Sequence, residues 1–444
     1  MGNEVTRRQI LAGAALAAVA GAAAGMRPRS ALTNVTLSSR PHNADIDSLV
    51  VIFLRGGADG LNIVPPYFED QYYRLRPSLG LPHPGDRSAS PASRALDLDG
   101  KFGLHPALAP LLPLYHNGSM AVIHAIGSGD QTRSHFEAMA TMERGIAKDT
   151  GAASGWLARH LLATSEEVES PLRAVAITET MPESLRGATK ATALLSLADY
   201  RLAAFDLQHH PDNRVPKPSV ARTEALTDTL KSLYAGNTKD VLQTAGKEAL
   251  KAMDAVKRLD PANYRPAPGA IYPKAELGVG LRQAACMIKG HVGLEVACLD
   301  LGGWDTHITQ GRESGIQAGR LAELGGSLGA FAADLGPLMQ RVTVVVMTEF
   351  GRRAYENTSL GTDHGRASCM LLLGGGVNGG RVYTRWPGLS EESLEDHGDL
   401  KVTFDYRDAL AEVLNKRLRN TQLADVFPEY KPQMHGLLNN LPDA

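Results

Sequence analysis

Six short apolar runs set the fold of this chain. They lie at residues 49–54, 120–126, 172–177, 294–299, 342–347 and 370–373, each of strand length and with at most one polar residue inside. Continuous runs of this kind suit strands buried on both faces, whereas a strand with one wet face alternates polar and apolar residues. Stretches with helical spacing separate them: 105–116, 134–144, 223–259, 277–288, 316–339 and 406–417. Pro106, Pro110 and Pro113 predict a break in the first of these. Strand and helix in alternation predict a three-layer α/β/α fold with a mostly parallel central sheet, whose ligands gather at the carboxyl ends of the strands. Between about 187 and 277 the rhythm fails, and the charged sequence there reads as a helical insertion within a single domain spanning 48–444.

The amino terminus has a different character. Arg7 and Arg8 precede an Ala/Gly-rich run ending near Ala24, the pattern of a twin-arginine export signal over residues 1–25, with Ala22, Ala23 and Ala24 as the cleavage region. Residues 26–47 follow as an extended leader. The expectation is a periplasmic or extracellular protein whose partner during export is the twin-arginine translocase. The run is too short and too poor in leucine to span a bilayer well, so no stable membrane span is expected after cleavage. Lys and Arg total 46 against 48 Asp and Glu, which leaves no net field for nucleic acid. Cys286, Cys298 and Cys369 are too few and too scattered for a disulfide framework.

Polar residues that fit no core follow or flank the apolar runs. After the first come Arg55, three glycines and Asp59, where turn chemistry and a functional acid are equally good readings. After the second, Arg133, Ser134 and His135 open a helix. Ser134 and Glu137 have capping-box spacing, and the same helix terminus favours an anion or alkoxide; the two roles are compatible. His135 adds a ligand or proton carrier. Asp305 and His307 stand one residue apart after the fourth run, so in extended chain both side chains face one way, a donor pair suited to zinc or manganese. Glu349 leaves the fifth run, where its carboxylate needs a metal or a salt bridge to Arg352 or Arg353. Asp363 and His364 precede the sixth. The glycine run 374–380 lacks the Lys-Ser/Thr ending of a phosphate loop and reads as a turn.

The strings at 53–62, 134–136, 303–307, 348–352 and 362–365, with 403–407 near the end, resemble the domain of unknown function 1501 family, a resemblance that runs from about Asp47 to Leu418. That family looks like a distant branch of the alkaline phosphatase and sulfatase superfamily. The resemblance implies an alkaline-phosphatase-like fold and metal-dependent hydrolysis of phosphate or sulfate esters, with a small-molecule or glycan ester as substrate. It makes Ser134 the nucleophile, Asp59 an acidic ligand, Asp305 and His307 a later ligand pair, and His364, beside Asp363, the final histidine. Glu349 stands where the superfamily has Asp-His, and Phe350 replaces that histidine. The expected cofactor is a divalent metal, whether zinc, manganese, calcium or magnesium.

In the expected reaction the metal, held by Asp305, His307, Glu349 and His364, neutralises the ester oxygens. Ser134 attacks, and Arg55 or Arg133 holds the non-bridging oxygens. The competing expectation is an exported, non-catalytic protein that binds a glycan or envelope partner on the same fold.

Overall fold

All six apolar runs fall on strands of one nine-stranded sheet. The computed structural model describes residues 46–146, 152–164, 170–188, 190–205, 218–235 and 241–440. In chain order the strands of this sheet are β1 Ser48–Leu54, β2 Met120–Gly127, β3 Ala174–Ile177, β4 Ala191–Ala193, β5 Val296–Leu301, β6 Val342–Thr348, β7 Ser368–Gly374, β8 Val382–Tyr383 and β9 Phe404–Asp405. Across the sheet the order is β8-β2-β7-β6-β1-β5-β3-β4, with β9 also paired to β2. The expected signal peptide and nearly all of the leader lie outside the described residues.

β1 sits near the middle, pairing in parallel with β6 through Val51 and Val345 and with β5 through Val51 and Cys298. Its side chains divide between two cores: Val50, Ile52 and Leu54 face one, Leu49, Val51 and Phe53 the other. Each fully buried side chain of this size contributes about 1.5–3 kcal/mol, so no residue of the strand is tolerable as a charge. Seven helices matter here: α1 His135–Arg144, α2 Trp156–Ala163, α3 Val220–Tyr234, α4 Val241–Leu259, α5 Glu276–Lys289, α6 Ile316–Leu335 and α7 Tyr406–Leu418. α5 and α6 close the first core, while α2 and α7 close the second. This is the three-layer arrangement, built on a mostly parallel sheet.

β7 is the exception that shapes the site. It runs antiparallel to both β6 and β2, and the other pairings are parallel. The chain between β6 and β7 contains no helix, so it turns back at the same edge of the sheet instead of crossing over. The start of β7 therefore lies beside the ends of β1, β2, β5 and β6.

Three details differ from expectation. The fourth apolar run enters the sheet two residues late, at Val296, and continues through Asp300 and Leu301 opposite Phe53 and Leu54. The helical stretch at 223–259 is two helices, α3 and α4. The segment read as a helical insertion begins with β4, which belongs to the main sheet, and holds a small two-stranded pairing of Ala204–Phe205 with Pro218–Ser219. The cysteines are free and buried, as expected. Among the described residues no helix is long and apolar enough to cross a membrane.

Candidate metal centre at the strand mouths

Two glycines after β1 let the loops close over one another. Gly56 has φ 122°, and a Cβ there would lie 2.6 Å from the Asp305 nitrogen; at Gly57, with φ 67°, it would lie 2.5 Å from the Phe350 ring. These glycines thus allow close approach of neighbouring protein loops. Arg352 locks the packing from within. Its fully buried guanidinium donates to the carbonyls of Gly56, Gly57 (2.6 Å), Trp304 (3.0 Å) and Thr362 (3.0 Å), and to Asp305 Oδ1 at 2.7 Å. One side chain thereby ties the loops after β1 and β5 to the loop before β7.

Four side chains converge on this edge. Asp305 Oδ1 lies 3.1 Å from His307 Nε2, 3.1 Å from His364 Nε2 and 3.4 Å from His135 Nε2. His307 Nε2 and His364 Nε2 are 2.9 Å apart. The rings of His135 and His364 also pack against Phe350, at centroid distances of 4.8 and 4.9 Å, so Phe350 supplies an apolar wall.

The second nitrogen of each ring is spoken for. His135 Nδ1 meets Glu349 Oε1 at 2.8 Å, His307 Nδ1 meets Asp363 Oδ1 at 3.1 Å, and His364 Nδ1 meets the Arg133 carbonyl at 2.8 Å. All three partners are oxygen acceptors, so each Nδ1 carries the proton and each neutral ring turns an Nε2 lone pair inward. Three lone pairs and a carboxylate oxygen then face one another. A proton reconciles one pair of them; a divalent cation reconciles His135, Asp305 and His364, whose donor atoms all lie within 4.8 Å of one another, with His307 beside them. His135 Nε2 is buried without a hydrogen-bond partner among the described residues. Donors about 2.0–2.2 Å from a tetrahedral zinc lie about 3.3–3.6 Å from one another, and those of His135, Asp305 and His364 all lie within 4.8 Å of one another. A carboxylate or carbonyl behind each ligating imidazole is the usual outer support of such a site.

The electrostatics agree. Burial works to raise the Asp305 carboxyl, but its neighbours, Arg352 first and then His364, outweigh it and hold the group well below the usual carboxylate range. His135 is pushed up, chiefly by its bond to Glu349, while burial pushes His364 down.

The structure thus brings together Asp305, His307 and His364 as expected, and adds His135, which the sequence suggested for catalysis. It corrects other expectations. Glu349 is not among the converging donors: its Oε1 accepts from His135 and from the Gly56 amide, and its Oε2 from Thr348 Oγ1. Asp363 likewise stands behind His307, where it also accepts from Asn357. Asp59 is buried and fully used, with both oxygens on Arg76 (2.6 and 2.9 Å) and Oδ2 also on Gln310. Arg55 pairs with Glu143 and Asp300, whereas Arg133 gives Nη2 to Asp399 and leaves Nε buried without a hydrogen-bond partner among the described residues. Ser134 caps α1, accepting from the Glu137 amide at a long 3.5 Å. The sequence reading missed Arg352 as a partner of Asp305, having weighed it only as a partner of Glu349.

The family described as protein of unknown function (DUF1501) matches residues 46–429. No curated protein matches the chain. Among solved structures, the PH0037 protein of Pyrococcus horikoshii is similar at 11% identity, covering 75% of this chain and 87% of that one, with a TM-score of 0.29.

Proposed function

The chain belongs to the DUF1501 family, and from its strand-mouth geometry we propose that it is an exported, metal-dependent hydrolase of phosphoric or sulfuric esters on an alkaline-phosphatase-like fold. The observation that carries this reading is the meeting of three imidazole Nε2 atoms on Asp305 Oδ1. A donor set rich in nitrogen favours zinc, manganese or iron over calcium and magnesium, which take oxygen. When bound, the ion supplies Lewis acidity toward an ester oxygen.

The chain's own residues do the rest. Glu349, Asp363 and the Arg133 carbonyl keep the three rings in one tautomer. The amino terminus of α1, which begins at His135, contributes a positive dipole end that favours an anionic ester. Ser134 is the candidate nucleophile: its 3.5 Å cap contact is long, and its hydroxyl proton is not used by that contact.

The test is a panel of aryl phosphates, phosphodiesters and sulfates offered to zinc- and manganese-loaded protein. Turnover that is lost on chelation and in His364→Ala supports the proposal. Full metal loading with no turnover of any ester overturns it in favour of a binding protein. Ser134→Ala separates the nucleophiles: lost turnover implicates the hydroxyl, and retained turnover assigns the attack to water.

A further inference from the structure

Arg352 contributes nothing to the converging donors, yet no other side chain here bonds so many parts of the site. Its guanidinium is completely buried, which is costly for a charge unless every N–H finds an acceptor. Four backbone carbonyls and Asp305 Oδ1 supply acceptors to Nε, Nη1 and Nη2 alike, from loops that follow β1, follow β5 and precede β7. These loops also bond one another through backbone atoms: the Trp304 amide to the Arg55 carbonyl, and the Thr362 amide to the Thr306 carbonyl. The oxygen that Arg352 grips is the same one on which the three Nε2 atoms converge. Asp305 is otherwise among the more open residues of the site, its side chain 47% exposed, so packing alone does not fix it.

Resting on the metal reading above, we propose that Arg352 is a positioning residue that assembles the ligand cluster before any ion arrives. It fixes the position of Asp305 Oδ1 and holds His307 and His364 within reach by clamping the loops that carry them. The ion then enters a finished site and does not have to organise one. Lysine substitutes only in part: it keeps the charge but offers three donors at one point, where Arg352 uses a planar fork spread over five acceptors.

The experiment uses the full chain, stripped with chelator and titrated with Co²⁺ alone, whose visible absorption reports the ligand field. Arg352→Gln and Arg352→Lys are compared with Arg173→Gln, a buried arginine that pairs with Glu295 just before β5 begins, at the opposite edge of the sheet. The expected result is Co²⁺ affinity lowered at least about tenfold in Arg352→Gln, with an altered spectrum and partial recovery in Arg352→Lys. Arg173→Gln, though destabilised, keeps wild-type affinity and spectrum. Equal metal binding in Arg352→Gln and Arg173→Gln overturns the proposal. Hydrogen exchange of the wild type decides the matter if the Arg352 variants fail to fold. The Gly56, Ala58, Trp304 and Thr362 amides are expected to be protected before metal is added, and protection that arises only with metal makes the ion the organiser. Wild-type protein that takes up no cobalt removes the metal reading and this inference with it, whereas normal uptake in Arg352→Gln removes only the inference.

Discussion

Replacing Glu349 by glutamine changes one charge behind the site and little else, which makes its effect calculable. Glu349 Oε1 accepts from His135 Nδ1 and from the Gly56 amide, both at 2.8 Å, and Oε2 accepts from Thr348 Oγ1 at 3.0 Å. Because the Gly56 amide is a fixed donor, the glutamine oxygen must stay on that side, so the His135 tautomer and the packing survive. What disappears is the negative charge that makes His135 more basic. Loss of such outer support typically weakens metal binding 10- to 100-fold, or about 1.4–2.7 kcal/mol. Zinc titration of Glu349→Gln against a chromophoric chelator reads this directly, with circular dichroism to check the fold. Unchanged zinc affinity in a folded variant would refute the claim that Glu349 acts through His135. A loss beyond a thousandfold would also refute it, returning Glu349 to the role of direct ligand.

Asp59→Asn leaves Arg76 buried without its carboxylate partner and is expected to cost about 3–5 kcal/mol of stability by urea denaturation while sparing zinc affinity; a folded variant that has lost zinc would make Asp59 a ligand after all. Glu295 provides a pH test remote from the site. Burial works to raise its carboxyl, but His160 and then Arg173 outweigh this and lower it from 4.5 to about 2. A depressed carboxylate stabilises the fold above its unfolded pKa, so about 3 kcal/mol is present near neutrality and is lost as pH falls from 4.5 toward 2. Glu295→Gln should be less stable at pH 7 and flatter over that acid window, and an acid limb identical to wild type would exclude the pair as its cause.

The sheet was legible because each long strand is buried on both faces and so leaves a run that helical spacing cannot produce. β4, β8 and β9, with two or three residues each, are too short to show any period. The reversed direction of β7 was invisible in its own residues, since an apolar run carries no polarity. The signal lay in the preceding connection, which has no helical pattern and therefore cannot carry a crossover. At the site, strand-mouth position brought out Asp305, His307 and His364. It could not rank the acids: Glu349 and Asp363 look like ligands in sequence, and only the direction of their oxygens toward Nδ1 atoms sets them one layer back. Arg352 reads in sequence as a surface partner for Glu349, because nothing local reveals that its side chain runs inward to carbonyls on three separate loops.

The most direct test is X-ray absorption at the zinc edge on the full chain loaded with zinc, with metal content measured in parallel on His364→Ala. The account predicts about one equivalent of zinc bound by imidazole nitrogen and carboxylate oxygen at about 2.0–2.2 Å, and loss of that zinc in the variant. Wild-type protein without stoichiometric zinc, or zinc retained in full by His364→Ala, would contradict it.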